Sequence, residues 1–217
     1  MIDLMIPPVV AALEILSIHS YFGLHVLARE VIFVDLAFAQ MAVLGTTVAL
    51  LMGIEHGTTI SLLFSLGFTL LAALIFSFTR MERSAVPQEA IVGITYVVAT
   101  ATVILLAGFT AEGAEHLRET MTGMLIWVDW HTIGVMAGVY AIIGVFHYIF
   151  RHKFLVVTLQ PERADNLPLW DFLFYVSFGI VISFSVEIAG VLVVFSALVI
   201  PAVIAFLFTN RFGVALL

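Results

Sequence analysis

Two polar residues stand in a segment that otherwise suits lipid. The stretch VIFVDLAFAQMAVLG, residues 31–45, is apolar almost throughout yet holds Asp35 and Gln40. A carboxylate inside hydrocarbon is costly, so it marks either a paired group or the lining of a path for a polar cargo. Both side chains offer oxygen to a cation, the amide being the weaker donor to a transition metal. Asp35 and Gln40 are five residues apart and do not share one helical face cleanly. Two structural roles stand beside the functional one. Near a helix end Asp35 can reach water or a basic loop residue, and Gln40 can serve as an interhelical hydrogen-bonding group.

Other groups could also do chemistry. Glu14 lies well inside the first apolar run, where it either faces a pathway or is a protonated or paired structural acid. His19 and His25 are six apart on the same run, on different faces, which suits polar packing better than metal binding. The segment AEGAEHLRETMTGMLIWVDWH carries Glu112, Glu115, His116 and Glu119. On a helix these spacings give one face, either an ordinary solvated one or one that gathers a divalent cation or meets a basic partner. His131 and His147 are the best candidates for axial ligands if the chain were a haem-holding membrane redox protein. There is no cysteine, which excludes disulfides and thiolate metal sites.

The elements that must position these residues are membrane helices. Of 217 residues, 63% are hydrophobic and 11% charged, and the mean hydropathy is +1.19. Soluble domains carry roughly 25% charged residues. A net charge of −7, with the basic residues thinly spread, leaves no patch for nucleic acid. A span needs about 20 apolar residues, and seven are expected, at 6–27, 31–53, 58–79, 89–109, 132–150, 170–187 and 189–208. The long run that ends at 208 is split at SVEIAG, where Glu187 and Gly190 supply the break. Arg29, Arg80, Arg83, Arg151, Lys153, Arg163 and Arg211 follow the odd-numbered spans, and only Arg118 lies in an intervening loop. That bias places the N-terminus outside and Arg211 in the cytoplasm. Ala37, Ala39, Ala42, Gly45 and Thr46 make the second span a close-packed bundle helix.

Three stretches in order resemble the metal-ion (zinc, manganese or iron) permeases of ABC importers. GLHVLAREVIFVDLAFAQMAVLG places Gly23, Arg29 and Gly45 at the family's spacing; QEAIVGITY places Glu89 and Gly93; AGVLVVFSALVIPAVIA is similar to a late helix signature. Gly123 in MTGMLIWV is a weaker match. The family carries an Asp and a His, four apart, as metal ligands on its second helix. In the register set by Gly23, Arg29 and Gly45 those positions are Leu36 and Gln40 here, with Asp35 one residue early. Asp35 then replaces the lost carboxylate, with Gln40 beside it or from a partner subunit, or the substrate differs.

The resemblance implies an all-α integral membrane protein, one transmembrane permease domain over 1–217, with a substrate pathway at Asp35, Gln40 and Glu14. It implies no enzyme activity and no cofactor held by this chain: ATP and Mg would be bound by a cytoplasmic ABC ATPase. Consistently, no GxxxxGK(S/T) phosphate loop occurs. An extracytoplasmic metal-binding protein would deliver substrate, and a second copy or a sister permease would complete the pathway in a prokaryotic cytoplasmic membrane. QPERA resembles the start of the family's coupling helix, which assigns Pro161, Glu162, Arg163 and Ala164 to ATPase docking. Gly190 and Pro201 are the expected kinks for gating. Family permeases continue past this point with further spans, so the chain is expected to be truncated or of a shortened subclass, and a degenerate, non-transporting subunit is a further reading.

Overall fold

The computed structural model describes residues 2–80, 86–110, 113–209 and 212. Arg83, Glu112 and Arg211, used above for loop charge and for the acidic segment, lie outside the described residues. The chain is a helical bundle: α1 Ile2–Ala28, α2 Val34–Leu51, α3 Thr59–Thr79, α4 Gln88–Ala107, α5 Gly113–Thr122, α6 Trp130–Ile149, α7 Arg151–Leu159 and α8 Leu167–Phe208. Among the described residues, α1, α2, α3, α4, α6 and α8 are long and apolar enough to cross a membrane.

At 42 residues α8 is not one rod. Asp171, near its start, bonds to Arg29, while Phe212, just past its end, lies 4.9 Å from the ring of His25. A straight helix would hold those two positions about 60 Å apart. Both lie against the last turns of α1, so the helix doubles back, and it does so at Gly190 (φ 75, ψ 161). Residues 167–189 and 191–208 form the two limbs. Between them lies α1: Phe22 meets Phe174 and Phe178 of the first limb, and Leu24 clusters with Ala202 of the second and with Phe212. Pro201, inside the second limb, leaves a backbone carbonyl one turn earlier without its donor.

Of the candidate spans α2 is the most enclosed and α4 the least. It begins at Val34 because the chain reverses through Glu30, which takes a left-handed φ of 58°. The Glu89 carboxylate, at the start of α4, accepts the Phe33 N–H at 3.2 Å and fixes that entry. Further along, a Cβ on Gly45 would meet the Phe64 carbonyl oxygen at 2.5 Å and Ser65 Cα at 2.8 Å, so α2 and α3 touch backbone to backbone. Gly45→Val is expected to cost about 1–3 kcal/mol by overpacking, read as a lower melting temperature of detergent-solubilised protein.

Candidate substrate pathway

Asp35 sits in the first turn of α2, at the bundle end that carries Arg29. It is 1% exposed, and among the described residues neither carboxylate oxygen has a hydrogen-bond partner. Of the described basic residues at this end, Arg29 and Arg80 bond Asp171. Gln40 is 2% exposed with its Oε1 unpartnered. Five residues of helix place the two about 140° apart, so the structure keeps them on one helix but not on one face. Leu36, in register with Gln40, is half-buried and packs against the core. Glu14 is not brought to them. It lies about 20 Å up α1 from the Arg29 end, half-buried, with Oε2 unpartnered.

The histidines separate into packed and available groups. His19 Nδ1 donates to the Ile15 carbonyl at 2.8 Å, and His25 Nδ1 contacts Thr158 Oγ1 at 2.8 Å. His147 has both nitrogens engaged, by Tyr21 Oη at 3.0 Å and Ser177 Oγ at 2.7 Å, and stacks on Phe154. No nitrogen is left for iron, and His131 is at the opposite end of α6, so the haem reading has no geometry to stand on.

The Arg29 end is tied by ions. Arg29 Nη1 donates to Asp171 Oδ1 at 2.9 Å and Arg80 Nη1 to the same oxygen at 2.7 Å, with the Arg29 and Asp171 side chains fully buried. Arg29 Nε reaches Thr158 on α7 and its guanidinium lies 3.7 Å over the Phe174 ring. Nothing in the sequence pattern marks Asp171 for this role. Next to α7, Pro161–Arg163 forms a single 3₁₀ turn with Pro161 at its start, Glu162 and Arg163 exposed, and Ala164 half-buried.

The opposite end collects histidine and carboxylate. Of the acidic segment, Glu115 points outward and pairs with Arg118, whereas His116 turns inward at 4% exposure, so the segment is not one uniform face. His116 Nε2 lies 3.3 Å from Thr46 Oγ1. With the Thr46 hydroxyl donating to the Val43 carbonyl, the matching tautomer has Nε2–H as donor and the lone pair on Nδ1, which is buried with no partner among the described residues. Burial, helped by nearby His56, pushes the His116 pKa down to about 4 and keeps the ring neutral at pH 7. The His56 ring is 5.1 Å from that of His116. A cleft here is lined by Thr46, His56, Ser65, Glu119, Ser183 and Glu187, and an adjoining opening by Glu55, His56, Glu115, His116 and Glu119. His56 and Glu187 were not singled out as ligands from sequence. The signal available was Glu187 as an isolated acid in an apolar run. Among the described residues, no three His, Asp or Glu side chains already stand close enough to hold a metal.

A bundle of helices long and apolar enough to cross a membrane marks a multi-pass membrane protein. The chain belongs to the ABC 3 transport family, whose profile matches residues 1–217. This is the family its motifs resemble, and membership makes it the permease of an ABC importer, not an enzyme, that works with separate ATPase and substrate-binding subunits. Its fold is similar to PsaBC of Streptococcus pneumoniae, solved with a Fab: 19% identity, TM-score 0.76, covering 98% of this chain and 76% of that one. It is also similar to a chain described as a metal-chelate type ABC transporter in an inward-facing conformation, at 18% identity and TM-score 0.70, covering 97% and 70%. No curated protein matches.

Proposed function

We propose that the chain carries a divalent transition metal (zinc, manganese or iron) inward by alternating access along α2. The observation that carries this reading is Asp35, buried with both oxygens unpartnered in the most enclosed span. An acid in that position is expensive unless a cation uses it. Gln40 supplies a second oxygen, from this chain or from a second copy or sister permease across the pathway. Glu14, higher on α1, is a further polar step.

In this reading the membrane is the prokaryotic cytoplasmic one, with the N-terminus outside and the Arg29 end in the cytoplasm. An extracytoplasmic metal-binding protein delivers the ion. The segment Pro161, Glu162, Arg163 and Ala164 meets the ATPase, where ATP and Mg are bound. Thr158, just before it, contacts His25 and Arg29, so a push at the docking segment reaches α1 directly. Gly190 and Pro201 are the places where the α8 limbs can bend. That the motif positions hold Leu36 and Gln40 favours a second reading, the same transport with a different substrate.

Uptake of radiolabelled zinc and manganese, in cells stripped of their own importers and supplied with the partner subunits, tests this. Uptake is expected in the wild type and to fall on the order of tenfold or more in Asp35→Ala, the scale of losing a metal-site group. Uptake untouched by the substitution would make Asp35 structural. Absence of uptake of either ion would move the substrate class elsewhere.

A further inference from the structure

The cleft at the end opposite Arg29 joins four parts of the chain: α2 through Thr46, the loop between α2 and α3 through His56, α5 through His116 and Glu119, and the first limb of α8 through Glu187. We propose that this cleft is a capture site for a divalent transition metal, separate from Asp35, with His56 and His116 as nitrogen donors and Glu119 and Glu187 as carboxylate donors. Resting on the importer reading for cargo and direction, it is the first place on the permease where an incoming ion is held.

Three observations converge. The His116 Nδ1 lone pair is buried and unpartnered, while its other nitrogen is held by Thr46, which is how an imidazole ligand is oriented by a hydrogen bond behind it. Two imidazoles on one tetrahedral zinc, each about 2 Å from the metal, would have ring centroids roughly 5 Å apart, and the rings of His56 and His116 are 5.1 Å apart. Finally, Glu119 and Glu187 line the same cleft as His56, and an N₂O₂ set suits zinc and its neighbours in the first transition row.

The carboxylates are not yet at coordination distance and must swing about their side-chain torsions to complete the set. Thr46 lies on α2 above Gln40, so release inward leads along the helix that holds Gln40 and Asp35. Glu187, an isolated acid two residues before the end of its limb, thereby has a use.

The test is Zn²⁺ titration of purified full-length chain by calorimetry, in an Asp35→Ala background so that the α2 site does not contribute. One Zn²⁺ per chain is expected to bind. Adding His56→Ala is expected to weaken it on the order of tenfold or more, and Glu187→Gln to weaken it also. Because His116 is buried, the exposed His56 is the variant least exposed to misfolding, and retained melting temperature checks that. His131→Ala and His152→Ala, on exposed histidines elsewhere, are expected to leave binding unchanged. No binding in Asp35→Ala, binding indifferent to His56→Ala and Glu187→Gln, or binding that follows His131 or His152 would overturn the site. Failure of the importer reading shows separately, as absent uptake with this binding intact.

Discussion

Gly190→Ala is expected to leave little folded protein. The residue takes φ 75 and ψ 161, a region that side-chain-bearing residues essentially do not enter, at a cost of about 1–3 kcal/mol. Space is also lacking: a Cβ there would meet the Gly123 nitrogen, the Thr122 carbonyl carbon at 2.7 Å and the Met121 oxygen at 2.8 Å. These are backbone atoms of α5 and its end, which cannot rotate away, and forced overpacking adds about 1–3 kcal/mol. The two effects together are a large part of a marginal stability. Fluorescence-detected gel filtration with a temperature ramp would show the loss. Gly93→Ala is the control, since a Cβ there meets nothing within 4 Å and alanine favours the helix. A Gly190→Ala protein as stable as that control would mean the corner of α8 is not fixed by this contact.

The second large effect is at Asp171. Its Oδ1 accepts from both Arg29 and Arg80, and its side chain and that of Arg29 are fully buried. Removing the acid strands a guanidinium between helices, and breaking a buried pair this way costs about 3–5 kcal/mol. Asp171→Ala is therefore expected to melt far below the wild type. The triple variant Arg29→Met, Arg80→Met, Asp171→Leu should recover much of the loss, because none of the three paired charges is left behind and Met can lie where the Arg29 guanidinium stacks on Phe174. If the triple variant melts as low as the single, the aromatic contacts of Arg29, and not its charge, hold this end together.

Much of the architecture was legible because hydrocarbon leaves few options. Runs of about 20 apolar residues become helices, and Glu187 with Gly190 located the corner of α8. The small residues of α2 announced its enclosure, and Gly45 is indeed where α3 approaches. What stayed hidden depends on contacts between distant segments. Asp171 reads as an ordinary acid beside Trp170 until the fold brings Arg29 and Arg80 to it. His56 sits between two glycines in a loop, with no periodic partner, and meets His116 only through the packing of α5. Spacing on α5 suggested one face, but Arg118 draws Glu115 outward while Thr46 holds His116 inward. For Asp35 the sequence supplied the residue and its oddity, and the structure adds its isolation.

The corner of α8 also bears on how the protein is made. Residues 167–208 emerge from the ribosome as one apolar segment, about twice the length a bilayer needs, interrupted only by Asp171 and Glu187. The clasp that fixes its fold-back, the Met124 N–H on the Ile188 carbonyl and the backbone of Gly123 against Gly190, belongs to chain already synthesised. Everything that clasps the corner is thus made before the segment it clasps, and a circular permutant that delivers α5 after α8 would present the insertion machinery with a segment whose turning point nothing yet marks.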